Sequence, residues 1–527
     1  MIAVLTAVAA LVSLQHDHLG RVVFPTSCNA TAQPRFEHAM ALLHSFWWEE
    51  GQGAFESVIA ADSSCAMGYW GLAVNAWGNP FAGGPGGFAG KGPGLQRGAS
   101  FAARAVAVGA PTPREQGFIA AAAALYRGAD SVPNSQRLLA YSDTLARLYR
   151  DFPNDPEVAI YYALSLCTTA SKTDTTFARQ KRANEILNPL FQRFPDHPGL
   201  AHYIIHANDS PRLANFGLNA ARRYSQIAPA APHAQHMPSH IFVRLGLWDE
   251  TIAANQRSFD AGLGYARAHS TGLAPEQLQA LDYIVYAYLQ EGRDGETRRT
   301  IAQAQELKIN LSNDAMVANY NRVAMEARLP LERGDWSEAS RLPVRAMQAS
   351  IGAALAHFTR GIGAARVLDT ARANVAVRAL ADIETELQRR GDNDWARVVG
   401  IKRQVVTAWS ELAAGDTVGA LRDAKTAADL EDLTEKQPVT PGELLPAREL
   451  EADMLLAVHR YADAHVAYER SLTREPNRAR SLYGSARAAE LAGDRAAARA
   501  RYLQFLAQMQ AGDGDRIEIE RARVALR

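Results

Sequence analysis

The fold is decided by residues 452–510, which read ADMLLAVHRYADAHVAYERSLTREPNRARSLYGSARAAELAGDRAAARARYLQFLAQMQ. Three small or aromatic residues of this stretch return at one constant interval: Ala452, Ala464 and Tyr468 recur as Ala486, Ala498 and Tyr502. Small residues at fixed positions let two antiparallel helices approach closely, and the aromatic residue fills the gap to the next pair. Pro476 follows the second helix, where its missing N–H costs least. The stretch therefore predicts consecutive helix–turn–helix units.

A glycine five residues before a small residue marks the turn inside each predicted unit. These marker glycines are Gly246, Gly292, Gly334, Gly415 and Gly493. Glycine supplies the positive φ that such a turn needs. The interval between the recurring residues, about 34 residues, is the helix–turn–helix period of tetratricopeptide repeats (TPRs). The sequence thus predicts an all-α, TPR-like α-solenoid, a right-handed superhelix of helix–turn–helix repeats, and no segment favours a strand.

The organisation along the chain follows from these markers. Thr112-Pro113-Arg114-Glu115 combines a capping box with a proline at the first helical position, so we expect a helix to begin there. The interval from Gly246 to Gly292 is longer than one period, which predicts an insertion near Leu263–Pro275. We expect three groups of repeats: N-terminal TPR-like helices over 16–110 with a glycine-rich loop at 83–94, central repeats over 111–310, and C-terminal repeats over 311–527.

The N-terminus indicates export. Residues 2–14 are almost all apolar and too few to span a bilayer, which is typical of a secretory signal peptide, although no Lys or Arg precedes Arg21. We therefore expect a signal peptide at 1–15 and a periplasmic or secreted protein; a buried N-terminal helix is the alternative. Export would allow Cys28 and Cys65 to form a disulfide. No later stretch is uninterruptedly apolar over the length that a membrane-spanning helix needs, so we expect no transmembrane anchor.

The composition excludes several classes of protein. The 527 residues carry 56 Lys+Arg and 56 Asp+Glu, a formal net charge of zero, which argues against nucleic acid as a partner because counterion release needs a basic face. A hydrophobic content of 47% counts against a disordered chain. Only three cysteines are present, which excludes a disulfide-rich scaffold or a multi-cysteine zinc module.

Five of the fourteen histidines lie close together in the sequence: His202, His206, His233, His236 and His240. The first two are one helical turn apart, and the other three are spaced at i, i+3 and i+7, so each group lies on one helix face. A shift by one period places His202 on His236 and His206 on His240. We therefore expect the two groups at equivalent positions on the first helices of consecutive repeats. In TPR arrays these positions line the concave groove.

Imidazoles on two adjacent helices can converge on one metal ion. All-nitrogen ligation suits Zn, Cu, Ni or Fe, and the sequence does not choose among them. Asp282, at the equivalent place in the next repeat, and Asp209 are additional candidates for an oxygen ligand or for an acceptor that fixes an imidazole tautomer. Glu157 is a candidate general base, and His44 is expected to be a core residue. A groove that binds an acidic or aromatic ligand and a structural role for the histidines are the alternatives to metal.

Two motifs carry a resemblance to known proteins. They are His197–His206 (HPGLAHYIIH) and His233–Phe242 (HAQHMPSHIF), joined by Leu19–Cys28 and Cys65–Gly71 near the N-terminus. With them the chain resembles a group of exported bacterial TPR proteins. The resemblance implies the repeat fold and export, and it implies no particular activity.

The expected function is that of an exported TPR scaffold with a His-rich transition-metal site in its concave groove, used for metal binding, carriage or structure. One alternative is an adaptor that binds a protein or peptide without metal, and a second is a metal-dependent enzyme that uses the His cluster. For the scaffold and the adaptor we expect a protein or peptide partner in the groove.

Overall fold

The structure is a computed structural model that describes residues 18–81, 93–311, 315–344 and 351–527. The expected signal peptide at 1–15 and all of the expected loop at 83–94 except its last two residues lie outside the described residues. The chain divides into two compact units. Unit 1 is made of residues 1–209 and 213–241, and unit 2 of residues 210–212 and 242–527. The expected grouping of repeats at 110 and 310 stays a prediction.

Among the residues that the structure describes, unit 1 contains eleven helices and the start of a twelfth. They are α1 (Ala32–His44), α2 (Trp48–Ala61), α3 (Ala66–Trp77), α4 (Pro93–Val108), α5 (Pro113–Tyr126), α6 (Asn134–Asp151), α7 (Pro156–Thr168), α8 (Ala178–Arg193), α9 (Pro198–Asn208), α10 (Ala214–Ile227), α11 (Pro232–His236) and α12 (Pro238–Leu245).

Unit 2 contains the end of α12 and the remaining helices. They are α13 (Trp248–His269), α14 (Glu276–Gln290), α15 (Asp294–Glu306), α16 (Ala315–Arg333), α17 (Trp336–Ala339), α18 (Ile351–Arg366), α19 (Thr370–Arg389), α20 (Asn393–Ala413), α21 (Thr417–Asp432), α22 (Ala447–Ala457), α23 (Tyr461–Arg474), α24 (Ala479–Ala492), α25 (Arg495–Gln508) and α26 (Ile517–Ala525).

The packing of these helices is that of a helical-repeat protein. Within each unit most helices pack on their neighbour in sequence, and the first helices of several pairs also pack on the first helix of the next pair. In unit 2 this second contact runs through α14, α16, α18, α20, α22 and α24, and in unit 1 it joins α1 to α3, α3 to α5 and α7 to α9. The described residues contain no strand, only one isolated bridge between Leu273 and Ile309. The all-α, TPR-like solenoid predicted from the sequence is confirmed.

The local signals that predicted the fold act as expected. All five marker glycines have positive φ and lie in turns between helices. Thr112 caps α5 by accepting a hydrogen bond from the Glu115 backbone N–H. Tyr468 lies against Gly484, where an added Cβ would come within 2.3 Å of the tyrosine ring, so the aromatic residue does fill the gap between helix pairs. No helix in the described ranges combines the length and the apolar character needed to cross a bilayer.

In each unit the first helices also meet across the interior. Helix α1 contacts α9 in unit 1, and α14 contacts α24 in unit 2. Each unit also buries polar side chains on these helices, such as His44 on α1, His202 on α9 and Asp282 on α14, although the core of such a fold is ordinarily apolar. The chemistry of the protein is therefore to be found inside the units.

Candidate metal centre

The five histidines singled out in the sequence come together in unit 1. His202 and His206 lie on α9, His233 and His236 on α11, and His240 on α12. Their rings form a continuous group, with centroids of His202 and His233 5.1 Å apart, those of His233 and His236 6.2 Å, and those of His206 and His240 6.4 Å. His202, His236 and His240 are at most 3% exposed.

The repeat relation between the two groups is visible in their geometry. The Nε2 atoms of His202 and His206 are 3.1 Å apart, and those of His236 and His240 are 3.2 Å apart. Both pairs are spaced at i and i+4, and a shift by one period relates the first pair to the second. Equivalent positions of two consecutive repeats thus present the same paired imidazole nitrogens.

The second group departs from the single helix expected from its spacing. The helix is interrupted at Met237, between α11 and α12. The cause is Pro238, which has no N–H to donate to the preceding turn. Met237 keeps helical dihedral angles (φ −53°, ψ −37°), so His236 and His240 still face the same way.

Hydrogen bonds fix the tautomers of His202 and His240. His202 Nδ1 lies 2.6 Å from the backbone carbonyl oxygen of His44, and His240 Nδ1 lies 2.9 Å from Oδ2 of Asp209. A carbonyl or carboxylate oxygen accepts, so Nδ1 carries the hydrogen in both rings. The lone pair is then on Nε2, the atom that faces the neighbouring imidazole. Asp209 occupies the role of tautomer-fixing acceptor that the sequence suggested for it.

His233 completes a set of three nitrogens. His202, His206 and His233 each offer a ring nitrogen within 4.8 Å of the other two. The Nε2 atom of His233 is buried and has no hydrogen-bond partner in the described part of the chain. A buried polar atom without a partner is costly and calls for an explanation such as a missing ion.

Aromatic rings enclose this set. Phe46 packs edge-on against His202, with centroids 4.3 Å apart, and stacks on His233 at 5.5 Å. Phe81 stacks on His206 at 3.7 Å. Phe46 has a φ of 54°, in the left-handed region that non-glycine residues rarely adopt. The backbone turn after α1 thus carries a strained residue whose ring covers the imidazoles.

Burial favours the neutral form of His202 and His233. It lowers the pKa of His202 well below its usual range, and the neighbouring His206 lowers it further. Burial also lowers the pKa of His233 well below its usual range, with further contributions from His202 and His236. The neutral ring is the form that binds a metal ion.

Asp282 does not have the role expected from its register. It lies in unit 2, where its two carboxylate oxygens accept hydrogen bonds from Arg328 Nε at 2.7 Å and Nη2 at 3.0 Å. Both residues are fully buried. Burial raises the pKa of the Asp282 carboxyl, and Arg328 opposes this. Asp282 is therefore committed to an ion pair with a guanidinium and not to an imidazole.

Comparisons with known proteins add little to this geometry. No protein-family model matches the chain, and no curated protein matches it. Among solved structures it is similar to yeast Tom70, with a TM-score of 0.33 and 10% identity over 94% of this chain and 95% of that chain. It is also similar to a monomeric IFIT1 mutant with Gppp-AAAA, with a TM-score of 0.34 and 11% identity over 82% of this chain and 85% of that chain. It is also similar to Naa15/Naa10 bound to HypK-THB (0.23, 10%, 94% and 73%). At these scores the likeness carries no argument about what this chain binds.

Unit 1 contains a second buried group of ionisable side chains that the sequence did not predict. His44, Glu157 and His197 meet inside unit 1, where the carboxylate lies between the two imidazoles. His44 was expected to be a core residue, and it is fully buried, but it is paired with Glu157. One signal for His197 existed: it takes the N-cap position of α9 that Asp155 takes in α7, yet it makes no capping hydrogen bond.

Cys28 and Cys65 form a disulfide that joins the N-terminal segment to the start of α3. The pairing that export would allow is therefore present in the structure. Cys167 is the free cysteine of the described residues, and burial raises the pKa of its thiol to about 12.

Proposed function

We propose that this protein is an exported helical-repeat scaffold that holds a transition-metal ion with its five-histidine cluster. One observation carries the proposal: His202 and His240 have their Nδ1–H groups fixed by acceptors, and each directs its Nε2 lone pair at the Nε2 atom of another imidazole. A histidine that donates from one nitrogen to a carbonyl or carboxylate and carries its lone pair on the other nitrogen is the usual form of a metal ligand.

The nitrogen spacings fit ligands that share one ion. For metal–nitrogen distances of about 2.0–2.1 Å, adjacent ligand atoms lie about 2.9–3.4 Å apart, depending on whether the geometry is octahedral or tetrahedral. The observed separations of 3.1 and 3.2 Å fall in this interval. We assign His202, His206 and His233 as the primary ligands, with His236 and His240 beside them and Asp209 orienting His240.

The surroundings favour a bound ion over a network of hydrogen bonds alone. Hydrogen bonds between the paired imidazoles would leave Nε2 of His233 buried without a partner. An ion would engage this atom and would replace the lost hydration of several imidazoles at once. The rings of Phe46 and Phe81 would exclude water from it. With nitrogen donors and no thiolate, the ion would be Zn, Cu, Ni or Fe.

The disulfide supports the export part of the proposal. Disulfides such as Cys28–Cys65 form and persist in oxidising compartments and are rare in the cytosol. This agrees with the apolar segment at 2–14 that predicts a signal peptide. A periplasmic or secreted location is where we expect the metal to be acquired.

The test is the metal content of the full chain purified without a histidine tag, measured by mass spectrometry. The wild type is compared with the double variant His206→Ala/His240→Ala, which removes one imidazole from each pair. We expect the double variant to contain about one equivalent less of a single transition metal. His269→Ala is the matched control, because His269 is exposed and lies outside the cluster.

Equal metal content in the wild type and the double variant, also after reconstitution with Zn, Cu, Ni and Fe, would contradict the proposal. A helical-repeat scaffold for a protein or peptide partner would then be the remaining function. Circular dichroism of each variant shows whether the helical fold is retained.

A further inference from the structure

The group formed by His44, Glu157 and His197 lies apart from the five-histidine cluster, and nothing in the proposed function uses it. His44 is the last residue of α1, Glu157 lies in the first turn of α7, and His197 is the N-cap of α9. The three side chains are 0%, 1% and 6% exposed. Three separate repeats thus place ionisable groups at one point of the interior of unit 1.

The donor atoms face one another. His44 Nε2 lies 3.1 Å from Glu157 Oε2, and His197 Nε2 lies 2.9 Å from Glu157 Oε1. Each imidazole therefore addresses a different oxygen of the same carboxylate. Ligands on one ion at about 2.0–2.2 Å would be separated by similar distances. Two imidazoles and one carboxylate are also a donor set that first-row divalent metals use.

The hydrogen-bond partners of the His44 ring are those expected of a metal-binding imidazole. Nδ1 of His44 lies 3.0 Å from the hydroxyl of Tyr203, so both ring nitrogens have a fixed partner. With a metal on Nε2, His44 would carry its hydrogen on Nδ1 and donate it to Tyr203, so no proton needs to leave this ring. His197 Nδ1 is buried without a hydrogen-bond partner in the described residues. A structural hydrogen-bond network would leave that atom unexplained.

The backbone makes room for His44. Gly199 is the counterpart of Glu157, because Pro198 and Pro156 begin α9 and α7 in the same way. A Cβ at position 199 would lie 2.5 Å from His44 Nδ1. The His44 ring thus packs against Gly199 on α9, at a position where any side chain would collide with it.

The carboxyl group of Glu157 is held in its ionised form. Burial raises and the two imidazoles lower the pKa of Glu157, which ends well below its usual range. Burial lowers the pKa of His44, against the opposing effect of Glu157. An ionised carboxylate is the form in which Glu157 can bind a metal ion.

We infer that His44, Glu157 and His197 form a second, closed site for a first-row divalent cation, which joins α1, α7 and α9. The site is separate from the proposed function but adjoins it, because the His44 carbonyl accepts the Nδ1–H of His202. We call the site of His44, Glu157 and His197 the inner site and the five-histidine cluster the outer cluster. Occupation of the inner site would fix the His44 carbonyl and thereby orient His202, one ligand of the outer cluster.

The experiment measures cobalt bound to the untagged full chain in the His206→Ala/His240→Ala background, in which the outer cluster is disabled. Because the inner site is buried, Co²⁺ is supplied while the protein refolds. We expect about one equivalent of Co²⁺ to remain bound, with an X-ray absorption spectrum of two imidazoles and carboxylate oxygen. Adding Glu157→Gln should remove it.

Tyr161→Phe is the matched control, since Tyr161 is on α7, is equally buried and has its ring 5.6 Å from that of His44. It should leave the equivalent of cobalt in place. Tyr203→Phe, which removes only the hydrogen-bond partner of His44, should weaken binding by about 10- to 100-fold.

The outcomes separate the two proposals. Cobalt absent from the outer-cluster variant but present in the wild type would overturn the inner site and leave the proposed function intact. Cobalt that stays after Glu157→Gln would also overturn it. Cobalt that is kept in the outer-cluster variant at the wild-type level and lost with Glu157→Gln would support the inner site and contradict the outer one. If Glu157→Gln does not fold, the absorption spectrum of the background variant decides by its carboxylate ligand.

Discussion

The interiors of the two units are built on the same frame of first helices and filled with different chemistry. In unit 1 the buried ionisable groups are mostly imidazoles, with Glu157 between two of them. In unit 2 they include fully buried guanidinium–carboxylate pairs: Arg478 binds Glu332 at 2.7 Å and Glu449 at 2.8 Å, and Arg328 binds Asp282.

This difference decides what each interior can do. A guanidinium is always charged, offers only donors and fits a carboxylate in a fixed fork, so Arg328 and Arg478 bring no lone pair to the interior of unit 2. An imidazole keeps a lone pair on one nitrogen and changes its charge near neutral pH. The interior of unit 1 therefore offers nitrogen lone pairs to a metal ion, which the guanidinium groups of unit 2 do not.

The largest effect is expected from breaking the ion pairs of unit 2. Arg478→Met removes the cation from between Glu332 and Glu449, all of them buried. Leaving buried carboxylates without their partner should lower the free energy of unfolding by about 3–5 kcal/mol, measured by urea denaturation followed by circular dichroism. Arg487→Met on α24, the helix that begins directly after Arg478, is the control: the side chains of Arg487 and Glu490 are 40% and 38% exposed, and loss of this pair should be close to neutral. Equal effects of both variants would remove the contrast between buried and exposed pairs.

The second expected effect is that acid loosens unit 1 before unit 2. His202 and His233 have a pKa well below the value of 6.5 that they have when unfolded, so below this pH the unfolded chain binds more protons and stability falls. The slope is about 1.4 kcal/mol per pH unit for each ring that stays neutral.

The carboxylates of unit 2 behave differently. Burial raises the pKa of Glu449, but Arg478 and Arg480 lower it more, so the folded-state pKa lies below the unfolded value of 4.5. The contribution of Glu449 to stability is therefore present above pH 4.5 and is lost only in more acidic solution. Burial raises the pKa of Glu431 to about 8. The contribution of Glu431 to stability is therefore largest below pH 4.5, its unfolded pKa, and is lost as the pH rises through 8.

Hydrogen exchange of the chelator-treated protein at about pH 7 and about pH 5.5 tests this order. Peptides of α9 and α11 should lose protection at the lower pH, while those of α22 and α24 keep it. Uniform loss over both units would show that the imidazoles do not control the acid response.

The smallest effect is expected from Asp209→Asn, which keeps the shape of the side chain and removes its charge. Asp209 accepts the Nδ1–H of His240, so the variant should weaken metal binding by about 10- to 100-fold without changing the fold. A competition titration with a chelator measures this. Asp196→Asn, at an exposed side chain of the same unit, serves as the control, and an equal loss in both variants would exclude an orienting role for Asp209.

The sequence predicted the solenoid and the outer cluster because both follow from one period. The shift that relates Tyr468 to Tyr502 also relates His202 to His236, and residues equivalent in a repeat are neighbours in the fold. The same reasoning assigned Asp282 to the histidine cluster, whereas Asp282 pairs with Arg328. The repeat register gives the position of a residue on its helix but not its partner, and Arg328 lies on α16, the first helix of the next pair.

The sequence by itself determined the repeat, the turns at its glycines, the cap at Thr112 and the pairing of histidines one turn apart, because all of these depend on residues close along the chain. The tertiary structure decided which interior each group entered. His44, Glu157 and His197 share no period, and they meet only because α1, α7 and α9 pack together. The disulfide Cys28–Cys65, the acceptor on His202 and the ring of Phe46 over the imidazoles were settled in the same way, by packing between segments that are distant in the chain.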